Sequence, residues 1–219
     1  MMTTNRTSGP SGAPSPVALV GGFLALTAFV VGADWAMLPD GEKLTREGGG
    51  IEMMSLIGYI LAAGLYLWVA RPRVFWAVPM VLLFMAAREG DLDKRFTSEG
   101  ILSTKILIHD TALWEKLLAL GLWALLAASV IALVRYRGPA LLRALRQARP
   151  WALAVAGGIL LAAFSKAIDG LARKLAPLGI DVSAPVGRGA GVLEELLEVL
   201  VPPLFMLAIL WARRSEAPA

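Results

Sequence analysis

The chain has 219 residues, of which 57% are hydrophobic, and it contains one histidine and no cysteine. A soluble domain is about 45–50% apolar, so this composition excludes a soluble enzyme domain with a single core and indicates a membrane protein. The lack of cysteine excludes disulfides and thiolate metal sites, and a single histidine excludes a multi-histidine metal centre.

Six apolar blocks follow one another along the chain, most of them close to the roughly 20 residues that a helix needs to cross a bilayer. Each block is continuously apolar, which predicts helices and not the alternating strands of a barrel. The predicted fold is all-α, a polytopic transmembrane helical bundle of six spans arranged as three antiparallel hairpins. The predicted spans lie near residues 17–33, 51–70, 74–90, 112–134, 151–168 and 192–212.

The two ends of the chain are polar. Residues 1–16 are rich in Ser, Thr, Pro and Gly, which predicts a disordered tail, and residues 214–219 form a second short tail after the transmembrane domain 17–213. The first span has a weakly charged leader and is followed by Trp35, a residue type that anchors retained helices at the interface. We therefore expect an uncleaved anchor.

The third predicted span carries charges at its end. Only residues 71–73 separate it from the second span, so the two helices are expected to be antiparallel neighbours. Its apolar block is short, so the helix is expected to continue through Arg88 and Glu89 and to carry their charges toward the interface or the protein interior.

Residues 135–150 follow the fourth span and alternate arginines with leucines. Arg143 and Arg146 with the neighbouring leucines fit a short amphipathic helix on a membrane surface, which makes anionic lipid the expected partner there. Other membrane lipids are also expected partners, and a protein partner is left open. The arginines lie in membrane-facing segments, so nucleic acid binding is not expected.

Six spans would divide the charges unevenly between the two faces. One face would hold ten arginines and one acid, Glu216, leaving eleven bases and sixteen acids opposite, so the net charge of +4 divides into +9 and −5. The ten arginines are Arg6, Arg71, Arg73, Arg135, Arg137, Arg143, Arg146, Arg149, Arg213 and Arg214. Because these bases are unaccompanied by acids near span ends, the positive-inside rule places this face and both termini in the cytoplasm, in a bacterial plasma (inner) membrane.

Charged residues inside or beside apolar sequence on the acidic face are the candidate binding residues. They are Glu52, Arg88, Glu89, Lys166, Asp169, Arg173, Glu194, Glu195 and Glu198. At about 100° per residue, one stripe near the end of the fifth span is formed by Lys166, Asp169 and Arg173. Another stripe on the sixth span is formed by Glu194, Glu195 and Glu198. Consecutive antiparallel helices would let these stripes face one another as ion pairs.

A structural role explains much of the same pattern. Glu52, Glu194 and Glu195 lie near helix starts, where the helix dipole stabilises an acid by about 0.3–1 kcal/mol. Glu198 and Lys166 lie deeper than this effect requires, which favours a recessed, carboxylate-rich site that attracts cations.

Asp91 and Asp93 have the spacing of an Asp-x-Asp pair that binds Mg²⁺ or Ca²⁺. The same loop contains Lys94 and Arg95 as charge partners, so a solvated loop is the favoured interpretation, and a divalent cation is the less favoured one. No other cofactor is evident, and no catalytic residue can be assigned.

Three functional hypotheses follow for this integral membrane protein. The preferred one is binding or transport of a cation, proton or lipid head group at the carboxylate-rich extracytoplasmic site. The first alternative is a membrane-embedded enzyme that acts on a lipid substrate through Asp91, Asp93 or Glu198. The second alternative is a structural or assembly subunit of a membrane complex.

The predicted orientation is tested with reporter tags at position 145 and within residues 88–111. We expect the tag at 145 to be reached from the cytoplasm and the other tag from the opposite side, because an odd number of spans separates them. Labelling of both tags from one side would contradict this topology.

Overall fold

The computed structural model of the protein describes residues 15–37, 49–70, 74–91 and 97–216. Within these ranges every regular element is helical and no strand occurs, which confirms the all-α fold predicted from the apolar blocks. Most of the predicted N-terminal tail (1–14), the connection 71–73 and residues 217–219 lie outside the described part of the chain.

The helices are numbered here in chain order. They are α1 (Pro16–Met37), α2 (Gly50–Val69), α3 (Ala77–Glu89), α4 (Lys105–Ile108), α5 (Leu113–Ala132), α6 (Gly138–Arg146), α7 (Pro150–Ile168), α8 (Leu171–Leu175) and α9 (Ala184–Glu216). A π-helical turn, Leu133–Arg137, joins α5 to α6, and a 3-10 turn, Ala176–Leu178, follows α8.

Five helical runs are long and apolar enough to cross a bilayer: α1, α2, the run from α5 through α6, α7 and α9. The predicted third span contains only α3, whose 13 residues reach about 20 Å. A hydrocarbon core is about 30 Å thick, so α3 alone is too short to cross it upright. The number six and the grouping into three hairpins therefore stay predictions.

Helices α7 and α9 pack against each other in opposite directions. Gly158 of α7 lies against the Phe205 ring of α9, while Lys166 of α7 pairs with Glu198 of α9. Residue numbers thus rise along α7 as they fall along α9. This arrangement brings the end of α7 beside the first half of α9, where the predicted charged stripes lie.

Helices α1, α2 and α9 approach most closely at Gly58. A Cβ at Gly58 would lie 2.7 Å from Cβ of Pro202 and 3.0 Å from Cζ of Phe23. Helices in membranes associate through such close packing, which small residues permit. The buried core around this contact contains Val20, Phe23, Ile51, Met54, Tyr59, Ala62, Ala63, Leu82, Ala86, Val199, Val201 and Met206.

The connection before α5 is tied to that helix by a second, smaller core. Ile101 and Ile106 are buried there, and Trp123 Nε1 donates a hydrogen bond to the Ile101 carbonyl at 2.9 Å. The buried carboxylate of Glu115, in the first turn of α5, accepts a hydrogen bond from Ser98 Oγ at 2.7 Å. The mixed-charge loop predicted from the sequence is thus anchored on α5.

The amphipathic helix predicted within residues 135–150 is α6, and it continues directly from α5. Together with the π turn they form a run of 34 residues, Leu113–Arg146. The π turn has a chemical cause. In a regular α-helix the Pro139 ring would clash with the carbonyl of Arg135 four residues earlier, and Pro139 has no N–H to donate to it. The run is about 51 Å long, so its arginine-rich end projects beyond a hydrocarbon core of about 30 Å when the helix is upright.

The close contact at Gly58 predicts an effect of a single methyl group. We expect Gly58→Ala to lower the free energy of unfolding in detergent by roughly 1–3 kcal/mol, because Pro202 and Phe23 must move. The matched control is Gly64→Ala on the same helix, whose Cβ would meet nothing within 4 Å. Equal stabilities of the two variants would contradict the proposed packing.

Candidate functional site

Charged side chains from α3, α7 and α9 meet at one end of the bundle. This charged cluster consists of Arg88, Glu89, Lys166, Asp169, Glu194 and Glu198. All six were candidates on sequence grounds, and the contacts among them follow from the antiparallel packing of α7 on α9 and from the approach of the end of α3.

Lys166 lies at the centre of the charged cluster. Its Nζ is 2.7 Å from Glu198 Oε1, 3.0 Å from Glu194 Oε1 and 3.5 Å from Asp169 Oδ2. Its side chain is 38% exposed, whereas that of Glu198 is 12% exposed. One ammonium group therefore links three carboxylates and retains a path to the surroundings.

The carboxylate of Glu198 is contacted by donors from two other helices, α3 and α7. Its Oε1 accepts a hydrogen bond from Ser165 Oγ at 3.1 Å and lies 3.5 Å from Arg88 Nη2, in addition to its pair with Lys166. Ser165 is fully buried and also donates to the Glu194 carbonyl at 3.4 Å. These contacts hold a carboxylate well inside an apolar helix.

Glu89 is the most buried acid of the charged cluster. Its side chain is 5% exposed, and its Oε1 lies 3.3 Å from Nη1 of the adjacent Arg88. Tyr59 of α2 is buried in the core near the carboxylates of Glu89 and Glu198. The end of α3 therefore buries the Glu89 carboxylate, while the Arg88 side chain is 45% exposed.

Two further predicted acids adjoin the charged cluster. The charges of Glu52 and Glu198 both act on Glu195, so the start of α2 and the first half of α9 lie at the same end of the bundle. With Gly58 of α2 against Pro202 of α9, this makes α2 parallel to α9. Glu195 forms no salt bridge with any residue that the structure describes.

The predicted stripe of Lys166, Asp169 and Arg173 on one helix is wrong. Helix α7 ends at Ile168, and Gly170 adopts a left-handed conformation with φ of 59°, which glycine tolerates without steric cost. Asp169 still reaches Lys166, but Arg173 lies on α8 with its guanidinium against Gly170. Among the described residues, Arg173 forms no salt bridge with the charged cluster.

The structure describes only one of the two residues in the predicted metal-binding pair. Asp91 follows α3 with a positive φ of 47°, and Asp93 lies outside the described residues. In the part of the chain that the structure covers, no group of three or more His, Cys, Asp or Glu side chains is arranged to hold a metal ion. The Asp91 and Asp93 site stays a prediction.

Two participants were not singled out from the sequence. They are Ser165 and Tyr59. A signal that could have found Ser165 is its spacing of four residues before Asp169, which predicts that both side chains lie on one face of a helix.

Comparisons of the chain with models of protein families, with curated proteins and with solved structures find no match. The proposed function therefore depends on the geometry and the charges of the structure.

The pair between Lys166 and Glu198 predicts non-additive mutations. We expect Lys166→Met to lower the free energy of unfolding by roughly 1–3 kcal/mol, less than the 3–5 kcal/mol of a fully buried pair because Lys166 is 38% exposed. Adding Glu198→Gln should restore about 0.5–3 kcal/mol relative to the sum of the single variants.

The control for this cycle is Lys105→Met, an exposed lysine outside the charged cluster. It should change stability little and should combine additively with Glu198→Gln. Additivity of Lys166→Met with Glu198→Gln would show that the pair contributes no coupling energy.

Proposed function

We propose that this protein is a multi-pass membrane protein that binds a cation at the charged cluster, with the proton as the favoured cation. The observation that carries the proposal is the surplus of carboxylates in the charged cluster, in which Glu89, Glu194 and Glu198 are only 5–14% exposed. Four acids of the charged cluster share two bases, Arg88 and Lys166, at distances of 2.7–3.5 Å. Glu195 adds a further carboxylate beside them.

Surplus negative charge away from water favours uptake of a compensating positive charge. An isolated carboxylate in a low-dielectric interior is costly, and carboxylates that crowd one another cannot all be ionised cheaply. A proton relieves this cost without needing space or a new coordination shell. The charged cluster is thus suited to exchanging protons with the side from which it is reached.

The exposure of Lys166 supports exchange with the surroundings. Its ammonium group is shared among three carboxylates but is 38% exposed, so it is not enclosed on all sides. A cation that arrives from outside would compete with Lys166 for Glu194 and Glu198. The lack of a three-ligand metal group among the described residues favours a proton or an organic ammonium over a metal ion.

A structural function is the second candidate, and two contacts of Lys166 favour it. Its pairs with Glu194 and Glu198 join α7 to α9, as an ion-paired clamp would. In that case Glu198→Gln would lower stability and alter no proton uptake.

We further propose that the charged cluster faces the extracytoplasmic side of a bacterial plasma membrane and that the arginine-rich end faces the cytoplasm. The support is the division of charge between the ends of the bundle, with unaccompanied arginines at one end and surplus acids at the other. Cations from outside the cell would then reach the site first.

The experiment measures carboxyl protonation by infrared difference spectroscopy of the full-length protein in lipid nanodiscs. We expect the cluster to take up about one proton per chain between about pH 8 and pH 5, a range in which exposed carboxylates stay ionised. Glu198→Gln should weaken this signal, because it removes one of the crowded negative charges that favour uptake of a proton by the charged cluster.

The matched control is Asp181→Asn, which removes an exposed acid before α9 and should leave the signal unchanged. A wild-type spectrum without carboxyl protonation in this range would overturn the proposal. Loss of stability in Glu198→Gln without any spectral change would support the structural function instead.

A further inference from the structure

A cavity of about 240 Å³ lies at the arginine-rich end of the bundle, opposite the charged cluster. Its walls come from the start of α7 and the end of α9, and are formed by Arg149, Pro150, Trp151, Trp211 and Arg214. Two exposed arginines therefore line one small space, and none of the lining residues is an acid.

The start of α7 adds to the positive potential of this cavity. Arg149 is the N-cap residue with an extended backbone, and no side chain caps the helix. Pro150 has no N–H, and the amides of Ala152 and Leu153 donate to the Arg149 carbonyl at 3.0 and 3.1 Å. In this first turn the Trp151 N–H is therefore the amide without a backbone acceptor among the described residues. The positive end of a helix dipole favours an anion, and phosphate is a common one.

The arginines are positioned by their neighbours. Arg149 Nε donates to Gln147 Oε1 at 3.1 Å, which orients its guanidinium. Arg213, the residue before Arg214, lies over the Trp68 ring at 5.3 Å. The two neighbouring arginines of α9 therefore contact different parts of the protein. Arginine guanidinium binds phosphate through paired N–H donors in a fixed geometry.

The tryptophans place the cavity at the depth of lipid head groups. Trp is enriched where the apolar part of a membrane protein meets the interface, and Trp151 and Trp211 flank the cavity at the two helix ends. The volume is below the roughly 300–1,000 Å³ of sites that enclose drug-sized ligands, so it fits a head group better than a whole ligand.

We propose that this cavity binds the phosphate of an anionic membrane lipid. Arg149 and Arg214 hold the phosphate, the uncapped start of α7 adds its positive dipole, and the tryptophan rings contact the glycerol and upper acyl region. A zwitterionic lipid fits less well, because its ammonium would lie against two guanidinium groups with no acid among the lining residues. The inference is independent of the function proposed for the charged cluster.

The test is native mass spectrometry of the full-length protein in detergent, titrated with phosphatidylglycerol or with phosphatidylcholine. We expect one tightly retained phosphatidylglycerol and weaker retention of phosphatidylcholine. At about 1 kcal/mol per arginine near an anionic lipid, Arg149→Gln or Arg214→Gln should weaken binding about fivefold and the double variant about thirtyfold.

The matched control is the double variant Lys105→Gln with Arg188→Gln, which removes the same charge from exposed positions outside the cavity and should leave the tight binding intact. Arg149→Lys with Arg214→Lys should keep more affinity than the glutamine pair. It also guards against misfolding, which circular dichroism checks for each variant.

Three results would overturn the proposal. The first is equal retention of the two lipids, and the second is an equal loss of binding in the cavity double variant and the control double variant. The third is displacement of phosphatidylglycerol by inorganic phosphate at comparable concentration, which would make soluble phosphate the ligand.

Discussion

An ion pair within an apolar helical bundle constrains the rest of this structure. Charged groups at membrane depth are costly unless they are paired, and Lys166 and Glu198 approach to 2.7 Å. The pair fixes α7 against α9, and Arg88 extends the same constraint to α3 at 3.5 Å. A slip of one helical turn, about 5.4 Å, would separate these partners and leave several buried charges without compensation.

Apolar contacts further along the same helices select the same register. Gly158 accepts the Phe205 ring of α9 at a distance that leaves no room for a larger residue, and Gly58 of α2 does the same for Pro202. Because Gly158 and Lys166 both lie on α7 and their partners Phe205 and Glu198 both lie on α9, a shift between these helices that relieved one contact would break the other. Agreement between independent local choices is what makes a single packing much lower in free energy than its competitors.

The sequence predicted which helices form the charged cluster more accurately than the residues at which those helices end. Apolar blocks and a 100° period were sufficient to place Lys166 opposite Glu194 and Glu198, because both stripes lie within regular helix. Arg173 was misplaced because Gly170 ends the regular periodicity, and periodicity carries no information beyond such a break. The sequence did not predict that α5 continues into α6. Gly138 and Pro139 are typical of a helix end, but here a π-helical turn accommodates the proline without ending the helical run.

The interior next to the charged cluster bears on the choice between a binding site and a structural clamp. Pro202 and Pro203 have no N–H, so the carbonyls of Glu198 and Val199 lose their regular helical donors. On α2, one turn from the Gly58 contact with Pro202, the buried Ser55 Oγ has no hydrogen-bond partner among the described residues. Unsatisfied buried polar groups destabilise a bundle, and a clamp would function better without them. Because Gly58 lies against Pro202 and α2 runs parallel to α9, Ser55 lies near the level of Val199, so these polar groups lie beside Glu198. This supports the proposed binding of a cation over a site that only holds helices together.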